Sequence, residues 1–113
     1  MIDKQASAIS GILDFDEEGI NNSLGKKIAD GCEVAYLILT SQTGSAGTVD
    51  VHDCTAVADA NYNNKKMTLD CSNVTNDTRI FPNPVSFARG LTVVLVQGDN
   101  NKIVLSYGTV APR

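Results

Sequence analysis

The side chains in this chain that could do chemistry are few, and their spacing decides what they can do. The acidic run Asp14, Asp16, Glu17 and Glu18, closed by Gly19, imitates the opening of a calcium loop, with oxygens at its first, third and fifth positions. Such a loop needs a bidentate carboxylate at its twelfth position, where this chain has Gly25, so a solvated acidic turn is expected instead. Gly19, Gly25, Lys26 and Lys27 resemble a phosphate-binding loop with one residue too many between the glycines and no hydroxyl to hold magnesium. His52, Asp53 and Cys54 are adjacent, but neighbours on a strand point to opposite faces; a surface His and a semi-buried Cys are expected rather than a thiol–imidazole pair. Ser45 sits in TGSAG, whose first Gly comes one place late for a nucleophile elbow. Cys32, Cys54 and Cys71 contain no C-x-x-C pair and are joined by one His, which argues against zinc and for buried, reduced thiols. The expectation is a chain with no enzymatic activity, no metal and no cofactor.

Binding chemistry is equally sparse. Sugar-binding sandwiches present exposed aromatic platforms, and here only Tyr62, in the loop DANYNN, is a good candidate. Asn73 and Asp77 flank a second polar turn, SNVTND, that could contribute to a ligand loop. The sequons at Asn21, Asn73 and Asn76 read as turn residues, since Asn and Asp cap their own backbone. The opening MIDKQASAISG carries Asp3 and no long apolar run, so a secretory signal is not expected and synthesis in a cytoplasm is. The longest apolar run, residues 34–39, is too short for a bilayer, so no membrane partner is expected.

The elements that would position these groups are short strands. Residues 33–40 (EVAYLILT) are apolar on both faces and read as a central strand covered on both sides. Residues 48–53 alternate, with Val49 and Val51 on one face and Thr48, Asp50 and His52 on the other. Met67, Leu69 and Cys71 alternate likewise, and pairing of these two strands puts Cys71 near Val49 and roughly 16 Å from Cys54, too far for a bridge. The run RIF is broken by Pro82 and Pro84, which mark an edge or a bend; Val85 and Phe87 resume the apolar face. Residues 91–97 and 103–107 read as a closing hairpin in which Leu95 faces Leu105 and Val93 faces Tyr107. Val94, Val96 and Val104 then fall on an opposite, partly apolar face that the arm or another subunit would cover. Fold class follows as all-β, an antiparallel β-sandwich.

Residues 1–31 are different and read as an N-terminal arm ahead of a β-sandwich domain at 32–113. The net charge of −4 lies wholly in residues 1–33, while the rest of the chain is neutral, so no basic stripe for nucleic acid exists. Ile2, Ala6, Ile9 and Leu13 follow helical spacing, whereas an extended arm would pack Ile9, Ile12 and Phe15; both readings stand. Either way this acidic segment is expected to hold the partner contacts.

The segments GTVDVHD (47–53), FPNPVSFARGLTVVLVQG (81–98) and KIVLSYG (102–108) resemble a family of small tailed-phage virion proteins, over roughly residues 32–108. Cys54 departs from the turn Gly common after the Asp in that pattern, and residues 1–31 lie outside it. The resemblance implies a jelly-roll-like sandwich on the surface of an icosahedral capsid. It implies a homotrimeric decoration or cement protein that binds the major capsid protein and stabilises the head. The arm residues Ile9, Ile12, Asp14, Phe15, Asp16, Glu17 and Glu18 are then expected at the capsid, and Val94, Val96 and Val104 at the subunit interface. The alternative is a head-fibre or tail appendage binding host surface glycans through Tyr62, Asn73 and Asp77.

Overall fold

The computed structural model describes residues 9–15, 18–20, 24–41, 47–71, 76–98 and 103–110. It is all-β: six antiparallel strands form one sheet, in the order β1-β6-β2-β5-β3-β4. The strands are β1 (Ile9–Asp14), β2 (Leu24–Ser41), β3 (Gly47–Asp53), β4 (Lys65–Asp70), β5 (Asn76–Gly98) and β6 (Ile103–Val110), with a short 3-10 turn at Val57–Asp59.

β2 and β5 are long because one ribbon serves both halves of the sheet. The second part of β2 pairs with β6, which in turn pairs with β1, and with the first part of β5. The first part of β2 pairs only with the second part of β5, which continues to β3 and then β4. Between the halves the β2–β5 ladder shifts register three times, at Lys27/Ala29, Asp30/Cys32 and Val34/Tyr36. At the last shift β5 steps from Ile80 to Val85, leaving Phe81, Pro82, Asn83 and Pro84 outside the ladder. Proline has no N–H to donate, so Pro82 and Pro84 fall where the ribbon must give up pairing and change direction.

The inner sides of both halves meet in one core. Leu13, Leu37, Leu39, Ile103 and Leu105 from one half join Val49, Val51, Leu69, Val93 and Leu95 from the other, with Val34 and Phe87 near the crossover. Gly47 marks the close approach, since a Cβ there would lie 2.5 Å from the tip of Ile103. Tyr36 lies flat across Gly108, its directly opposed partner on β6, where a Cβ would come within 2.2 Å of the ring. The missing side chain lets the aromatic ring shield strand backbone.

The expected boundary at residue 31 falls inside β2, and the segment before it joins the sheet. β1 lines up Leu13 with Leu105 and Asp14 with Val104 on β6, and Phe15 is 0% exposed within the core. Its neighbours are acidic, but alternation turns Leu13 and Phe15 inward together, which buries more apolar area than an arm could. The expected closing hairpin is also replaced: β5 pairs with β2 and β3, and β6 pairs with β1 and β2. Val93, Leu95, Ile103 and Leu105 do share the core, but from different layers of it. The β3–β4 pair forms with Val49 opposite Leu69, so Cys71 lies by Gly47, whose carbonyl accepts from the Cys71 N–H at 2.9 Å.

Phe15→Ala is expected to cost about 3–5 kcal/mol, as for other buried aromatics. Urea denaturation checks this; a change below about 1 kcal/mol would show that β1 is dispensable to the core.

Candidate functional sites on the two outer faces

On the outer side of the β1-β6-β2-β5 half, the register places apolar residues in adjacent rows. Ile12 lies in the row Ile12, Ser106, Ile38, Thr78; the next row runs Ser10, Gly108, Tyr36, Ile80; Val104 lies in the row with Asp14, Thr40 and Asn76. Ile12 is 70% exposed and Ile80 69%, while Tyr36, Ile38 and Val104 are half-buried. The central strand expected to be covered on both sides is thus covered on one: Val34, Leu37 and Leu39 are buried, and Tyr36 and Ile38 line this open face.

The outer side of the other half is partly roofed by residues 54–64. Thr92 on β5 donates from Oγ1 to the Cys54 carbonyl at 2.8 Å, and the Cys54 N–H donates to the Gly90 carbonyl at 3.2 Å. The Asp53 carboxylate accepts from the N–H groups of Arg89 and Gly90. Within the loop, Asn61 Oδ1 accepts from the N–H groups of Asn63 and Asn64, while the Asn61 and Asn64 amides both donate to the Asp59 carbonyl. Asn64 Oδ1 accepts from the Asn61 N–H at 3.0 Å and meets His52 Nδ1 at 2.8 Å. Because that oxygen can only accept, Nδ1 of His52 carries the proton and Nε2 is the nitrogen left over.

This roof corrects the expectation of a surface histidine: His52 is 5% exposed. Alternation rightly aims it away from the core, but the loop then covers it. His52 still borders a shallow depression together with Asp50, Val57, Ala60, Tyr62, Lys65 and Val94. Asp50 accepts from the Thr68 hydroxyl at 2.7 Å through Oδ1, and its Oδ2 stands 3.9 Å from Lys65 Nζ. The Lys65 ammonium also sits 5.9 Å from the centre of the Tyr62 ring, which is 86% exposed. Sequence reasoning singled out Tyr62 but missed Asp50, His52 and Lys65 as its companions. The available signal was the alternation of residues 48–53, which already put Asp50 and His52 on one face.

The other expected site residues scatter. Asp77 lies at the seam between β5 and β4, where its Oδ2 accepts from the Asp70 N–H at 2.9 Å and Arg79 donates to the Thr68 carbonyl at 3.2 Å. Arg79 also forks onto Asp77 at 2.8 and 3.0 Å, so the pair stands in for a missing backbone ladder. Of the proposed capsid contacts, Phe15 is buried, Ile12 is exposed, Asp14 is half-buried, and Glu18 pairs with Lys26. Asp16, Glu17, Asn73 and the side chain of Ile9 lie outside the described residues. Val94 and Val96 belong to the outer face of the β3 half and Val104 to that of the β6 half, so the three do not form one surface. Among the described residues, no group of three or more His, Cys, Asp or Glu is placed to hold a metal ion.

The cysteines are free and buried. Burial, aided by Asp53 and Asp30, pushes the Cys32 thiol up to about 11, and burial followed by Asp70 raises that of Cys71. Thiolate is the reactive form, so neither is primed for nucleophilic work. No protein-family model matches this chain, and no curated protein matches it.

Two measurements check this account. A thiol reagent at pH 8 is expected to label the native protein at least tenfold more slowly than the urea-unfolded chain; fast native labelling would place a cysteine at the surface. The Arg79 hydrogen bond holds the Asp77 carboxyl below its usual 3.8, against the opposing effect of burial. A folded-state value below the unfolded one contributes stability above the unfolded value and loses it as pH falls through the folded one. Asp77→Asn is therefore expected to cost about 1 kcal/mol at pH 7, allowing for the exposure of Arg79, and to flatten the stability loss below about pH 4. Parallel pH-dependent melting curves for variant and parent would refute it.

Proposed function

We propose that this protein is a non-enzymatic tailed-phage decoration or cement protein that binds the major capsid protein on the head surface. The observation that carries the reading is the open apolar face built by Ile12, Tyr36, Ile38, Ile80 and Val104. Two isoleucines left about seven-tenths exposed on one face, three strands apart with Ile38 and Tyr36 between them, are costly to solubility unless another protein covers them. The segments that resemble virion proteins supply β3, the second part of β5 and β6, so the resemblance and the sheet coincide over the same strands.

The finer architecture proposed is a jelly-roll-like sandwich, made by folding the single sheet over its core at the β2–β5 bulges. The assembly proposed is a homotrimer whose subunits sit around a local threefold axis of the shell. Many weak, identical contacts distributed over a capsid add interface area to every joint and strengthen the shell cooperatively. Within the acidic segment expected to reach the capsid, Ile12 is the described apolar side chain free to do so.

Because Leu13 and Phe15 belong to the core, deleting the segment would damage the fold, and point changes make the cleaner test. Heads assembled from the major capsid protein of the same phage are sedimented with the chain, and occupancy is measured. The double variant Ile12→Asp, Ile80→Asp is expected to keep its β-sheet circular dichroism and lose at least tenfold in occupancy. Full occupancy by the folded double variant, or none by the parent chain, would overturn the proposal.

A further inference from the structure

The inner sides of the two sheet halves face one another across one core, so their outer faces look in opposite directions. The depression beside Tyr62 therefore lies away from the Ile12–Ile80 face and remains open if that face is covered. We infer that this depression is a binding site for an uncharged saccharide, taking one pyranose ring against Tyr62 with its hydroxyls directed to Asp50, Lys65 and His52.

The chemistry of the walls selects that ligand class. Asp50 Oδ2 and Lys65 Nζ are 3.9 Å apart, wider than a direct hydrogen bond and suited to being bridged. A hydroxyl fits such a gap because it accepts from the ammonium and donates to the carboxylate at once. His52 Nε2, whose partner nitrogen is committed to Asn64, supplies a further acceptor. An anion would meet the Asp50 carboxylate and a cation would meet Lys65, so a neutral, polyhydroxylated molecule satisfies the set best. The remaining lining is apolar: Val57, Ala60, Val94 and the Tyr62 ring offer a surface to the C–H face of a sugar.

The site is also held in shape before any ligand arrives. Tyr62 projects from a loop tied by Asn61 and Asn64 to its own backbone and, through His52, to β3. A platform already ordered loses little freedom on binding, which is how a small contact area yields useful affinity. The Tyr62 ring is exposed and lies outside the hydrophobic core. Repetition on a capsid would multiply a weak site into strong surface attachment, though the single-chain binding does not require the capsid reading.

The test uses the full chain, fluorescently labelled, on an array of neutral and acidic glycans, followed by amide-shift titration with the free form of each hit. The expected result is at least one neutral hit, with saturable shifts at residues 50, 52, 62, 65 and 94. Tyr62→Ala is expected to weaken it at least tenfold, and Asp50→Asn to weaken it while leaving the amide spectrum dispersed. The double variant at Ile12 and Ile80 is expected to bind the glycan normally, which separates this site from capsid attachment. No neutral hit, hits confined to acidic glycans, or binding that Tyr62→Ala leaves unchanged would each overturn the inference.

Discussion

Everything in this molecule depends on how the long β2–β5 ribbon loses its pairing in the middle. A continuous antiparallel ladder through residues 24–41 and 76–98 would make a two-stranded strap with one face wet throughout. Three register shifts, the last spanning Pro82 and Pro84, let the two ends of the ribbon recruit different neighbours. β6 and β1 complete one end, and β3 and β4 the other. Only then can Leu39 and Leu105 meet Val49 and Leu95 in a shared core. The fold is thus a matter of where hydrogen bonding stops as much as where it occurs.

The two outer faces inherit opposite characters from what each half has to cover it. The β3 half carries the eleven-residue connection 54–64, whose Asn side chains bind one another and His52, so polar groups there are satisfied and held in place. The β6 half carries no comparable described loop over its outer side, and its Ile12, Ile38 and Ile80 remain open. One face is polar and roofed by a loop, and the other is open and apolar. Burial pushes the Cys32 and Cys71 thiols up, and the one imidazole is tied to an amide.

Strand alternation was legible wherever it was strict. Residues 48–53, 66–71 and 103–107 read as strands from their residue types; the first and last lie wholly in the sheet, and β4 takes in the second except Cys71. Partner choice was not legible, because Val93 and Tyr107 satisfy the same facing rule whether they pair directly or line opposite walls of a core. Residues 24–31 escaped notice since Gly25, Lys26, Lys27 and Gly31 dilute the apolar signal; as an outer strand of its half, this stretch has only one neighbour to satisfy. Phe15 was hidden by the acidic residues around it, and burial of His52 by a loop that sequence alternation cannot anticipate. The Tyr62 platform was legible as an exposed aromatic in an Asn-rich turn, but its polar companions come from β3 and β4 and needed the register to find them.

The seam where Asp77 and Arg79 reach the β4 backbone is different in kind from the other strand contacts. Two side-chain bonds, one to a carboxylate and one from a guanidinium, close a gap that elsewhere is closed by regularly spaced amides, and two more brace the carboxylate and guanidinium against each other. Such a clasp can be released by rotating two side chains, with no strand pairing broken between β3 and β4 themselves. The edge strand β4, laddered to β3 alone, is consequently the strand that can part from the first half of β5 while β3 keeps its own pairing with the second half, and fluctuations of the native state would first admit water along that line.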